Sequence, residues 1–313
     1  MNPEVEYISK TVSLDHIRSH IMALEGERHP VTAPAALEAA AKYIEKSFNT
    51  LDYDVADHWF TDNNRFFRNI IATRRGSNLP HERVVLLAHY DTVQGAPGAD
   101  DNASGVALLL ETARVLERFR CERTIHFIAV NLEENEDAEN SFSGTRGSRA
   151  LAAYARENGW NIYGVVVLES VAYSGDSIEQ SAPSDIPFPI PAVGNFIAVV
   201  GNECSKELID GFSQAVEKYQ PDLAHIELAV PGNGEILPDT RRSDHASFWD
   251  EGFKAVMLTD TTNFRNPNYH LPTDTLATLN LEFAVKVCCA TAGAIFEIAR
   301  FAEHDCKSAC QER

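Results

Sequence analysis

Long apolar runs, basic clusters and CxxC pairs are all missing from this chain of 313 residues. No stretch approaches the roughly 20 consecutive apolar residues that cross a bilayer, so no membrane partner is expected. Lys and Arg number 27 against 46 Asp and Glu, a net charge of -19. With no Lys- or Arg-rich run to offset that balance, a phosphate backbone would be repelled and nucleic acid is not expected as a partner. The six cysteines (Cys121, Cys204, Cys288, Cys289, Cys306 and Cys310) contain no CxxC pair, which excludes a zinc ribbon and points to buried thiols in a reducing compartment. Cys306 and Cys310 could meet on one helical face, but two thiols alone make a poor metal site. The amino end, MNPEVEYISKTVSLDHIRSHIMAL, has acidic residues early and no basic segment followed by an apolar one, so it does not read as a signal peptide and a cytoplasmic location is expected. No repeat and no Ser/Gly/Pro linker divides the chain, which reads as a single domain over residues 1–313.

What is present is the composition of a globular protein, 44% hydrophobic and 23% charged, enough to bury a sizeable core. Short apolar runs rich in β-branched residues recur: RNIIAT at 68–73, RVVLLA at 83–88, TIHFIAV at 124–130, IYGVVVL at 162–168, FIAVV at 196–200 and KAVMLT at 254–259. Strands this uniformly apolar are covered on both faces. Helical spacing appears from Pro34 to Phe48, with Thr32 as a candidate cap, then after Asn102, and from about Leu281 to Phe301. The fold class is therefore α/β, a three-layer sandwich with a mixed, mostly parallel sheet between helices. In such sheets ligands gather beyond the carboxyl ends of the strands.

Chemistry-bearing residues sit at those ends. His89 follows RVVLLA in HYDTVQGAPGADDNASG, Glu133 and Glu134 follow TIHFIAVNL, and Glu169 follows VVVL. Imidazole and carboxylate are zinc ligands. Asp91 is placed to accept the other N–H of His89 and set its tautomer. Asp100, after the GAPG turn, sits where a carboxylate could bridge two cations at the entrance to a helix capped by Asn102 or Ser104. In the Glu133–Glu134 doublet one carboxylate can hold metal while the other takes a proton from water and returns it to a leaving amine. Further on, NPNYHLPTDT offers His270 as a ligand and Tyr269 as a donor to an oxyanion.

HYD, GADDNASG, EE, a carboxylate after a strand, SDH and YH, in that order, resemble the co-catalytic zinc aminopeptidase family, which includes bacterial leucine-type aminopeptidases, glutamate carboxypeptidase and glutaminyl cyclase. The match runs from about residue 15 to the carboxyl end. The resemblance implies a zinc exopeptidase-like fold and two Zn2+ ions, with His89, Asp100 and Glu169 serving one and Asp100, Glu134 and His270 the other. It implies Glu133 as general base acting on a hydroxide shared by the metals, Asp91 as the partner of His89, Tyr269 as oxyanion donor, and a cis bond between Asp100 and Asp101. Two departures stand out. The family places Asp where this chain has Glu169, and the segment NEDAENSFSGTRGS after the doublet is longer and more acidic than its counterpart.

Plainer readings compete for the remaining residues. Ser243, Asp244 and His245 are consecutive, which rarely makes a catalytic triad, and no GxSxG elbow accompanies them, so a supporting role is expected. His126 reads as a core histidine. Residues 136–139 read as a solvated acidic face, and Phe142, Phe248, Trp249 and Phe264 as core, with a pocket lining as the alternative. The expected activity is that of a zinc-dependent metallo-exopeptidase acting on a peptide or small amide, foremost an aminopeptidase. A carboxypeptidase using Arg241, Arg242 or Arg265, a glutaminyl cyclase-like enzyme, and a non-catalytic binding protein on the same scaffold are the alternatives. Cobalt or manganese could occupy the same ligands.

Overall fold

The computed structural model describes residues 2–134, 143–183, 186 and 189–302. In chain order the elements are α1 (Pro3–Thr11), α2 (Leu14–Leu24), α3 (Pro34–Asn49), β1 (Asp54–Asp62), β2 (Arg65–Arg74), β3 (Leu79–His89), α4 (Gly105–Leu116), β4 (Arg120–Cys121) and β5 (Arg123–Val130). There follow α5 (Arg146–Glu157), β6 (Asn161–Glu169), β7 (Ile197–Asn202), α6 (Lys206–Tyr219), β8 (His225–Val230), α7 (His245–Asp250), β9 (Ala255–Thr259), α8 (Leu281–Ile298) and β10 (Phe301–Ala302).

Eight strands form one sheet in the order β1-β2-β5-β3-β6-β9-β7-β8, and β4 pairs with β10 apart from it. The central run β5-β3-β6-β9 is parallel, while β1–β2, β2–β5 and β9–β7 pair antiparallel. Period-two alternation assigns each face. On β3, Val84, Leu86 and Ala88 enter a core shared with α1–α4, α6 and α8, whereas Val85 and Leu87 enter a second core with α5 and α7. The mixed sheet between two helical layers is the architecture read from the apolar runs, each of which lies wholly or largely within a strand.

β1 was not legible as a strand. Its sequence DVADHWFTD has no apolar run and every residue is exposed or half-buried, as suits an edge strand with water on one side. The expected Thr32 cap on α3 is also corrected. Ala33 occupies the cap position without a side-chain bond, and the Thr32 hydroxyl is engaged by Glu27 and His29 instead. At α4, by contrast, Asn102 Oδ1 accepts the Gly105 N–H at 3.1 Å, which decides between the two candidate caps. A Cβ at Gly105 would lie 2.3 Å from that same oxygen, so the tight approach requires glycine. Cys121, Cys288 and Cys289 are buried free thiols and Cys204 is an exposed one. Cys306, Cys310, Phe142 and the 136–139 acidic run lie outside the described residues. Among the described residues no helix is long and apolar enough to cross a membrane.

Candidate metal centre

Neighbouring strands deliver the site. β5, β3 and β6 are adjacent and parallel, so their carboxyl ends bring the Glu133–Glu134 pair, His89 and Glu169 to one edge, with His89 in the middle. Unusual backbone turns flank three of the donors: Leu132, directly before the glutamates, has φ 57°, Ser170, directly after Glu169, has φ 47°, and His270 itself has φ 61°. Such left-handed conformations in non-glycine residues cost of order 1–3 kcal/mol and persist where surrounding contacts over-determine them.

The contacts are visible. Asp91 does more than stand 3.5 Å from His89 Nδ1: its Oδ1 accepts the Glu133 N–H at 3.0 Å and its Oδ2 the Glu134 N–H at 3.1 Å. One carboxylate thereby aligns the histidine and the whole doublet. A matching device serves the aspartate pair, because Asp274 Oδ1 accepts from Asp100 N at 2.9 Å and Asp274 Oδ2 from Asp101 N at 3.1 Å. Asp274 lies in the NPNYHLPTDT stretch but was not singled out, since nothing in a Thr-Asp-Thr tripeptide says that it reaches back across the fold.

The main correction concerns the aspartate pair. Asp101, not Asp100, enters the cluster: its Oδ1 is 3.1 Å from His89 Nε2 and its Oδ2 is 3.1 Å from His270 Nε2. Asp100 turns away, accepting from Ala172 N at 3.1 Å and from Asn266 Nδ2 at 2.8 Å. Burial together with the facing carboxyl of Asp260 pushes Asp100 well above the usual carboxylate range. The cis peptide likewise lies one residue later than expected, at Asp101–Asn102. With Asp274 gripping both backbone N–H groups, only one of two adjacent side chains can face the sheet edge, and it is the second.

Among the described residues three groups of three donors result, His89–Asp101–Glu169, Asp101–Glu134–His270 and His89–Glu133–Glu134, each with ligand atoms all within 4.8 Å of one another, and Asp101 belongs to the first two. Glu169 Oε2 is 3.4 Å from His89 Nε2 and Glu134 Oε2 is 3.2 Å from His270 Nε2. These approaches are close, yet His89 Nε2, His270 Nε2, Asp101 Oδ1 and Glu134 Oε1 are buried without a hydrogen-bond partner among the described residues. Lone pairs that converge without aligning as donor and acceptor are a donor set for a cation, because buried polar atoms are otherwise paired. The added methylene of Glu169 is accommodated by Ser243, whose Oγ donates to Glu169 Oε2 at 2.8 Å. That gives the SDH stretch the supporting role expected of it.

Electrostatics match a site built for positive charge. Burial pushes Glu134 up to about 7, against the pull of His270 and with Asp101 adding to the rise. Glu133 is driven well above its ordinary value by burial, with Glu169, Asp244 and Glu134 contributing against the pull of His89. Burial opposes protonation of His270, but Glu134 and Asp101 push it up to about 10. Asp244, fully buried, is raised to about 7 mainly by burial, against the pull of His89 and Ser148.

Tyr269 stacks on His270 with ring centroids 3.7 Å apart, and its hydroxyl takes a 3.3 Å hydrogen bond from Arg242 Nη2. Beside Tyr269 and Glu169 opens a cavity of about 780 Å³, counted out into open solvent. Its wall includes Ala198, Val200, Ile226, Leu228 and Met257, which cross-strand register places side by side on one sheet face. Phe264 joins this lining, while Phe248 and Trp249 are core. Arg241 and Arg265 are committed elsewhere, the first to Asp250 and the Asn233 carbonyl, the second to Gln180 and the Phe196 carbonyl.

Residues 69–292 match the family model described as peptidase family M28. The chain belongs to peptidase family M28. A relative in Escherichia coli (strain K12), the uncharacterized protein YfbL, is 30% identical over 266 residues, covering 80% of this chain and 77% of that protein. Among solved structures, the aminopeptidase from Aneurinibacillus sp. strain AM-1 superposes with a TM-score of 0.71 at 17% identity, covering 96% of this chain and 97% of that one. The glutaminyl cyclase of Macrostomum lignano gives 0.76 at 18% identity, with 96% and 94% covered. At these identities the two structures establish the M28 fold and leave the reaction open. The M28 membership makes the chain a member of a metallopeptidase family, in line with the resemblance carried by its motifs.

Proposed function

We propose that the chain is a dinuclear zinc aminopeptidase. The observation that carries this reading is the pair of three-donor groups sharing Asp101, with their unpaired buried nitrogens and oxygens. His89, Asp101 and Glu169 would hold one ion, and Asp101, Glu134 and His270 the other. Two bound Zn2+ ions would supply Lewis acidity toward the scissile carbonyl and toward water.

The chain's own residues do the rest. Glu133 stands beside His89 and Glu134, outside the two groups that share Asp101, where its carboxylate is free to act as a base. It accepts the proton of the attacking water and delivers it to the departing amine. Asp91 holds the Glu133 backbone in place for both transfers. The Tyr269 hydroxyl, supported by Arg242, donates to the carbonyl oxygen as it gains charge. The cavity next to Glu169 takes an apolar side chain of the substrate.

Surplus carboxylate favours a free ammonium over a carboxylate in the terminal subsite. Of the three arginines available to a carboxypeptidase, Arg242 lines this cavity, and its guanidinium already donates to Asn263 Oδ1 at 2.9 Å and to the Tyr269 hydroxyl. A glutaminyl cyclase would need just one of the two donor groups, and this chain keeps both. Steady-state hydrolysis of dipeptides blocked at either end tests the reading. Cleavage should require a free amino end and tolerate a blocked carboxyl end, and the opposite pattern would overturn it.

A further inference from the structure

A cation stands behind this acidic site and pairs with none of its carboxylates. Arg28 lies in the turn between α2 and α3, outside the residues matched by the family model, and is 2% exposed. Its guanidinium donates only to backbone carbonyls: Nε to Tyr90 O at 2.8 Å, Nη1 to Gly26 O at 2.7 Å, to Pro97 O at 2.9 Å and to Leu24 O, and Nη2 to Gly98 O at 2.9 Å. Tyr90 separates His89 from Asp91, and Gly98 stands three residues before Asp101. The main chain of Arg28 closes the same junction, its N–H donating to Thr92 Oγ1 at 2.9 Å while its carbonyl faces Thr92 N at 3.4 Å. Gly98 has φ 60°, and a Cβ there would lie 2.3 Å from Thr92 Cγ2, 2.4 Å from Asp101 O and 2.8 Å from Arg28 Nη2, so the loop packs too closely on itself and on the guanidinium to carry a side chain.

We infer that Arg28 is a positioning residue whose planar fork fixes the loop carrying His89 and Asp91 against the loop carrying Asp101, and thereby sets the affinity of both shared donor groups for zinc. Only arginine can perform this task, because its donors form a rigid plane that reaches several carbonyls at once, while a lysine ammonium is a point charge on a flexible stem. A positive charge is thereby held behind the acidic site by carbonyl contacts alone, leaving the carboxylates of Asp91, Asp101 and Asp274 to their own partners.

The inference rests on the metal-site reading above, and zinc titration against a chromophoric chelator tests both separately. Arg28→Lys keeps the charge and loses the fork. Its zinc dissociation constant should rise about 10- to 100-fold, the range seen when groups orienting metal ligands are removed. Arg28→Met should weaken binding at least as much, and should it fail to fold, Arg28→Lys carries the test alone. Arg123→Met is the control for a merely structural role. Arg123 is also buried, donating to Glu82 Oε2 and to the Ile298 carbonyl at 2.6 Å each at the far end of β5. That variant should lower the thermal midpoint and leave zinc affinity within twofold. Arg28→Lys with wild-type zinc affinity would overturn the inference and spare the metal site. Wild-type protein binding less than one equivalent would remove the metal site and this inference together.

Discussion

Two sets of buried glutamates in this protein behave as opposites. Glu111, on α4, is fully buried, and its oxygens take hydrogen bonds from Arg114 Nε and Nη2 at 2.7 Å each and from Ser13 N at 2.6 Å. Glu133, Glu134 and Glu169 are nearly as buried, yet they face one another, Asp101 and Asp244, with two histidines as the nearest cations. The first arrangement is a finished ion pair. The second is left incomplete by the protein, an arrangement that suits a bound cation, so burial alone does not distinguish a structural carboxylate from a candidate functional one. The state of its partners does.

The largest effect that would sharpen this contrast is catalytic. Glu133→Gln should retain zinc by metal analysis and keep its thermal midpoint while kcat falls about 10²- to 10⁴-fold, the usual contribution of proton transfer by a positioned group. Wild-type turnover in this variant would remove Glu133 as the base.

Next comes the aspartate pair. Asp101→Asn should drop bound zinc below one equivalent, since both donor groups lose their common carboxylate, whereas Asp100→Asn should keep its zinc because that side chain bonds Ala172 and Asn266. The reverse result would restore the assignment suggested by the motif alone.

Stability separates the two kinds of glutamate directly. Glu111→Gln breaks a completed buried pair and should cost about 3 kcal/mol in urea unfolding. Glu169→Gln relieves like-charge crowding and should raise the midpoint of the metal-free protein at pH 8 while weakening zinc binding. Equal destabilisation by both would dissolve the distinction.

The smallest effect is a pH dependence away from the site. His126 is stacked on Trp160 at 4.8 Å and bonded to Thr73 and Arg83, and burial, then Arg83, lowers it to about 3. Between the ordinary histidine value of about 6.5 and that folded value, the unfolded chain binds the proton and the folded one does not. His126 therefore contributes stability above pH 6.5 that is lost as pH falls toward 3. His126→Asn should flatten this slope in thermal scans of zinc-free protein. An unchanged slope would show that other groups carry it.

Much of this was legible in the chain. Apolar β-branched runs marked the central strands because a sheet covered on both faces leaves no polar position, and motif order named His89, Glu133, Glu134, Glu169 and His270, which the fold brings together. β1 escaped because its exposure removes that signal. Asp274 and Arg28 escaped because each acts on residues far away in sequence, through backbone N–H or carbonyl groups that leave no local pattern.

Residue types and their spacing determined the kind of chemistry: imidazole and carboxylate at the carboxyl ends of parallel strands, with a spare glutamate for the proton. Tertiary structure alone decided which of two identical neighbours faces the site. Asp100 and Asp101 are chemically the same, and with Asp274 holding both N–H groups it is Ala172 N and Asn266 Nδ2 that keep the Asp100 carboxylate away while Asp101 faces His89 and His270.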